Sequence, residues 1–150
     1  MSRAIELAQM GMDKNNGGPF GAVIVKGNQI IGEGYNLVTS KNDPTAHAEI
    51  VAIRNACQLL KTYHLQGCEI YCSCEPCPMC LGAIYWARID KIYFAANRIQ
   101  AENINFDDNF IYNEISLDID KRKIRAVQLL ENEGIALLEA WEKMPNKIMY

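Results

Sequence analysis

A chain of 150 residues, 49% of them hydrophobic and 22% charged, is large enough for one substantial core and too apolar for a disordered segment, so a single domain spanning 1–150 is expected. A formal charge of -3 at pH 7 gives a phosphate backbone little to hold, which argues against a nucleic acid and for a small neutral partner. The opening Ser2-Arg3-Ala4-Ile5-Glu6 mixes polar with apolar residues, and no apolar run approaches the roughly 20 residues of a membrane span, so the expected compartment is the cytoplasm. Six cysteines in a reducing compartment point to metal binding or catalysis more than to disulfides.

Taken in chain order, Ala4, Leu7, Ala8 and Gly11 repeat at helical spacing behind Ser2 as a candidate N-cap, and the pattern breaks at Asn15-Asn16-Gly17-Gly18-Pro19. Phe20 to Lys26 and Gln29 to Tyr35 are strand-like runs flanking Gly27-Asn28, a dipeptide suited to the positive φ angles of a tight hairpin. A polar loop from Thr39 to Asp43 precedes a second helix, with Ile50, Ile53, Cys57 and Leu60 as its apolar stripe and His47 in its first turn. Glu69 to Cys74 reads as a third strand. Pro78 to Ala87 reads as a helix with Met79, Gly82, Ala83 and Trp86 inward, and Lys91 to Ala95 as a fourth strand. Arg125 to Leu130 is expected to be a fifth strand, and Ile135, Leu138, Trp141 and Met144 to share one side of a last helix. Residues 100–118 read poorly. The alternation predicts an α/β fold of three αβα layers, with a five-stranded mixed sheet and helices on both faces.

Two of these elements carry chemistry. His47, Cys77 and Cys80 are ligand types that zinc prefers, and three protein donors leave a fourth position open. Pro78 favours the first helical position, which makes Cys77 the N-cap and Cys80 the third residue, neighbours at one helix end whose dipole favours thiolates. Cys74-Glu75-Pro76-Cys77 is a competing CxxC, and a closed structural site could recruit Cys74 or His64 as its fourth ligand. Glu49 lies two residues beyond His47, on a different side of the helix. Both can reach a cation only beyond the helix end, where a carboxylate near the metal but not bound to it can shuttle protons.

The segments Phe20-Gly21-Ala22-Val23, Pro44-Thr45-Ala46-His47-Ala48-Glu49, Ser73 to Arg88 and Phe106-Asp107-Asp108-Asn109-Phe110-Ile111-Tyr112 together resemble the bacterial guanine deaminases of the cytidine-deaminase superfamily. The resemblance implies hydrolysis of guanine to xanthine and ammonia, with Zn²⁺ on His47, Cys77 and Cys80 and with Glu49 as proton shuttle. It also implies Asn36 and Asp108 on the base, Phe20 packed against it, and a homodimer that exchanges its last segment so that Tyr150 reaches the partner's site. Rival readings are a tRNA adenosine deaminase, for which Lys121-Arg122-Lys123-Ile124-Arg125 could be a contact patch, a cytosine deaminase, and a noncatalytic zinc-stabilised binding module.

Overall fold

The computed structural model describes residues 1–150, which form two compact units, Met1–Asn109 and Phe110–Tyr150. The first unit holds a mixed four-stranded sheet in the order β2-β1-β3-β4, built from β1 (Gly21–Lys26), β2 (Gln29–Tyr35), β3 (Cys68–Cys74) and β4 (Lys91–Ala96). β1 pairs antiparallel with both β2 and β3, and β3 pairs parallel with β4. The β1–β2 hairpin turns at Gly27 and Asn28, with φ of +53° and 65°, the left-handed pair the sequence anticipates there.

Side-chain alternation along β1 divides the core. Val23 faces Ala4 and Leu7 of α1 (Ser2–Asp13), with Val25, Tyr35 and Tyr71 around them. Ala22 and Ile24 face the opposite way, toward α3 (Ala48–Leu60) and α4 (Pro78–Trp86), where Ala48, Ala52, Ala56 and Ile84 pack with Ile70 and Cys72. Helices therefore cover both faces, as expected for three layers. The four anticipated core positions of α1 are all buried, although Ser2 lies inside the helix and Met1 is its N-cap.

Several expectations need correction. Arg125 to Leu130 is not a fifth strand: every residue of it is exposed, and Leu130 turns left-handed at φ 53° to cap α7 (Glu131–Lys143). An apolar run can suggest a strand, but a strand also needs a backbone partner, and this segment donates no backbone N–H to one. The polar loop after β2 contains a helical turn, α2 (Val38–Lys41), closed by Asn42 at φ 50°. On α3 the most deeply buried row is Ala48, Ala52 and Ala56, while Ile53, Cys57 and Leu60 are half-buried. Small residues win there because β2 presents Gly34, where a methyl would lie 2.3 Å from the Ala48 carbonyl oxygen. On α4 the inward row is Cys80, Ile84 and Ala87, and Trp86 is 71% exposed.

The stretch that reads poorly contains α5 (Arg98–Glu102), closed at its start by a reciprocal capping box between Asn97 and Gln100. In the second unit are α6 (Asn109–Ser116) and α7. Ile135, Leu138, Trp141 and Met144 are between 43% and 70% exposed, so within this chain they are not a buried stripe. No helix is long and apolar enough to cross a membrane.

Candidate metal centre

Asp43 builds the approach to the site. Its carboxylate accepts the Thr45 N–H at 2.8 Å and the Thr45 hydroxyl at 2.7 Å, and these bonds hold its pKa below the usual range. The turn delivers His47 as the N-cap of α3, extended at ψ 156°. Across from it, Cys77 is the N-cap of α4, and Pro78 opens that helix as expected. Two helix starts converge. His47 Nδ1 lies 3.5 Å from each sulfur, and the three donor atoms all fall within 4.8 Å of one another.

That spacing suits a cation. Ligand bonds of about 2.0–2.1 Å to nitrogen and 2.3 Å to sulfur, at tetrahedral angles, separate nitrogen from sulfur by about 3.6 Å. Electrostatics agree with the geometry. The pKa of Cys77 is held down to about 4, first by the Cys80 thiol and then by His47, which favours its thiolate form, and contact with Cys77 raises the pKa of the imidazole in turn. Cys74, the competing ligand, stands apart from this trio. It ends β3, donates its thiol to the Asn97 carbonyl at 3.8 Å, and is pushed up to about 11 by burial. His64 packs its ring against Tyr63 at 4.2 Å and is not among the grouped donors. With three donors the arrangement is that of an open zinc site and not a closed one.

Glu49 is 7% exposed in the first turn of α3, and burial pushes its carboxyl up from the usual range. It interacts with the Cys80 thiol, which puts it beside the donor trio. Asn36 is 4% exposed; its backbone N–H donates to the Phe20 carbonyl at 3.0 Å, and its Oδ1 accepts the Val38 N–H at 3.1 Å. Asp108 is half-buried, and its pKa is raised by desolvation and next by the nearby Cys77. Phe20 meets Phe106 edge to face, with centroids 4.8 Å apart. Tyr150 belongs to the second compact unit and is 70% exposed.

Sequence reasoning missed the parts of Phe106 and Glu75. The Glu75 carboxylate accepts the Arg98 N–H at 3.0 Å, tying the segment between β3 and α4 to the start of α5. Only the placement of an acidic residue just before Pro76-Cys77 could have hinted at it.

Residues 1–96 match the family described as the cytidine and deoxycytidylate deaminase zinc-binding region. The chain belongs to this family. Among relatives of known activity it is 51% identical over 150 residues to the guanine deaminase of Bacillus subtilis, covering 100% of this chain and 96% of that protein. It is 41% identical over 132 residues to a tRNA-specific adenosine deaminase of Buchnera aphidicola, covering 87% of this chain and 78% of the other. The X-ray structure of the Bacillus subtilis guanine deaminase superposes with a TM-score of 0.96, covering 99% of this chain and 95% of that one. Zn²⁺ is thus the cofactor of this deaminase, and the His-Cys-Cys trio is the donor set in the structure that fits it.

Proposed function

We propose that this deaminase hydrolyses guanine to xanthine and ammonia. The observation that carries the substrate is the end-to-end likeness to the Bacillus subtilis guanine deaminase, which extends through the Phe106-Asp107-Asp108 segment and the carboxyl-terminal helix, beyond the zinc-binding region itself.

In this reading His47, Cys77 and Cys80 hold the metal. When bound, zinc supplies Lewis acidity that makes water a nucleophile near neutral pH. Glu49 accepts a proton from the attacking water, passes it to a ring nitrogen of guanine, and carries the second proton to the departing amino group. The water oxygen bonds to the amino-bearing carbon as the ring nitrogen is protonated; the C–N bond breaks only afterwards, when the amino group has taken the second proton, and ammonia leaves as the carbonyl forms. Burial suits Glu49 to this work, because a desolvated carboxylate accepts a proton more readily than a solvated one. The Asn36 amide donates to a carbonyl or ring-nitrogen acceptor of the base, Asp108 accepts from a ring N–H, and Phe20, braced by Phe106, packs on the ring face.

The working form is a homodimer that exchanges its carboxyl-terminal segment, with Tyr150 completing the partner's pocket. Its large exposed apolar residues support this, Leu130, Leu137, Leu138, Ile148 and Met149 each being at least 68% exposed. Six free thiols suit the cytoplasm.

The rival tRNA adenosine deaminase loses support at the basic run. Lys121 pairs with Asp118 at 2.6 Å, Arg122 donates to the Leu117 and Ile115 carbonyls, and Lys123 lies over the Phe110 ring. These cations are engaged locally. The deciding experiment offers the purified zinc protein guanine, adenine, cytosine, guanosine and a tRNA anticodon stem while ammonia is measured. Release from guanine well above the others is expected, and release from cytosine or the tRNA stem alone would transfer the assignment to a rival. Zinc without turnover on any of them would leave a binding module.

A further inference from the structure

The loop between α1 and β1 contributes no side chain to the chemistry above, yet its two glycines touch the groups that face the base. A methyl on Gly17 would lie 2.0 Å from Oδ1 of Asn36 and 2.8 Å from its Cγ. A methyl on Gly18 would lie 2.8 Å from Cζ of Phe106 and 2.8 Å from Cε2 of Phe20. Neither glycine has a positive φ, so the requirement at both positions is space and not backbone conformation.

The loop cannot easily retreat from such an added methyl. Its Asn16 N–H donates to the Gly11 carbonyl at 3.0 Å, and the Asn16 carbonyl accepts from Ser40 N–H at 3.2 Å. The Thr39 hydroxyl donates to the Asn15 carbonyl at 3.2 Å, and on the far side Phe20 N–H closes on the Gly18 carbonyl at 2.8 Å. The loop is thus tied to α1 and α2, so strain introduced at residue 17 or 18 passes to Asn36 and to the two rings. Asn36 has no slack either, because its Oδ1 is committed to Val38 N–H and its backbone N–H to Phe20. Phe106 follows Asn105, which turns left-handed at φ 69°, and stands two residues before Asp108, in the segment that carries the second base-facing group.

We propose that Gly17 and Gly18 are positioning residues for substrate: Gly17 sets the rotamer of the Asn36 amide, and Gly18 seats the Phe20–Phe106 ring pair and through it the Asp107-Asp108 segment. The proposal rests on the assignment of Asn36, Phe20 and Asp108 to the base-binding side of the site. It makes the Gly17-Gly18 pair a determinant of which base is held, separate from the machinery that activates water.

The test compares G17A and G18A with N36A, F106A and the doubles G17A/N36A and G18A/F106A, all in the full-length zinc-loaded protein. Zinc content, thermal midpoint, and kcat and KM for guanine are measured for each. Both single glycine variants are expected to bind zinc as the wild type does and to raise KM about tenfold or more, with a smaller fall in kcat, since displacement of a positioning group by about 1 Å suffices for such losses. Within each pair the effects should be non-additive in both KM and thermal midpoint: once the Asn36 amide is gone G17A adds less than it does alone, only the contact with the Asn36 carbonyl oxygen at 3.0 Å remaining, and once the Phe106 ring is gone G18A adds less than it does alone. Additive effects in both cycles, or unchanged KM in both glycine variants, would overturn the proposal. Where G17A fails to fold, recovery of a folded G17A/N36A with the midpoint of N36A supports it, and failure of both overturns it. A wild type that is inactive on guanine defeats the substrate assignment, while the thermal cycles still report whether the glycines set these side chains.

Discussion

His47 and Cys77 are each the N-cap of a helix, one opening α3 and the other α4, and their Nδ1 and Sγ atoms meet at 3.5 Å. Neither side chain caps its own helix by a side-chain hydrogen bond, so both stay available to a cation. The first turn of each helix then adds one more group, Glu49 on α3 and Cys80 on α4. Cys77→Ser is therefore expected to reduce bound zinc from about one per chain to a small fraction and to abolish ammonia release, because a hydroxyl is a poor zinc donor beside a thiolate. Metal analysis of the dialysed protein alongside an ammonia assay checks it.

Glu49→Gln separates metal binding from chemistry. The amide cannot relay protons, and kcat should fall by at least about 10²–10⁴-fold while zinc content stays at the wild-type level. Since burial disfavours the ionised carboxyl, the neutral amide should leave the thermal midpoint unchanged or raise it. A variant that loses zinc along with activity would place Glu49 among the ligands.

The two groups proposed to face the base should fail differently. Asn36→Ala deletes both the amide proposed to meet substrate and the acceptor for Val38 N–H, so it should raise KM and also lower stability by about 1 kcal/mol. Asp108→Asn, on a half-buried residue whose charge burial already disfavours, should raise KM for guanine with little change in thermal midpoint. Steady-state kinetics and thermal unfolding of the two variants, side by side, make the comparison.

The difference between these residues also shows what the sequence carries. Ligand spacing and the Pro78 start signal are local, and they are enough for the trio and for Cys77 as N-cap, while His47, expected in the first turn of α3, is instead its N-cap; the β1–β2 hairpin is equally local, through Gly27-Asn28. What escapes is non-local. The expected fifth strand at Arg125 to Leu130 is an apolar run that pairs with no strand of the sheet, and the α3 row of alanines is chosen by glycines of β2 that apolar periodicity cannot register. The helical spacing of Met79, Gly82, Ala83 and Trp86 assigns Trp86 inward, but the inward row of α4 runs through Cys80, whose burial beside His47 fixes the helix's rotation. The five residues of α5 are too few to show a period.

Gly34→Ala tests that helix-on-sheet contact. A methyl there would lie 2.3 Å from the Ala48 carbonyl oxygen and 2.6 Å from the Ala52 N, backbone atoms that no rotamer change can move aside. A loss of about 1–3 kcal/mol or more is expected, at the upper end if the helix cannot shift. Because Ala48 adjoins both His47 and Glu49, zinc affinity should fall as well. Denaturant unfolding with and without a chelator reads both effects.

The Arg3–Glu33 pair yields a dependence on pH remote from the metal. Arg3 of α1 donates Nε to one Glu33 carboxylate oxygen at 2.7 Å and Nη2 to the other at 3.0 Å, a bidentate link to β2. That hydrogen bonding, more than the charge alone, lowers the Glu33 pKa from its usual value of 4.5. Because the folded value lies below the unfolded one, the stabilisation is fully present above pH 4.5 and is lost as pH falls through the lower, folded value. Arg3 stays charged throughout, so the whole dependence belongs to Glu33. Glu33→Gln should therefore be less stable than the wild type at pH 7, and the gap should close as the solution is acidified below the usual glutamate range. The side chains are 39% and 38% exposed, so the gap should also narrow in high salt. Chemical unfolding of both proteins from pH 7 down to about pH 3 measures it; a gap that stays constant with pH would mean that the substituted amide disturbs packing and that the ion pair contributes nothing.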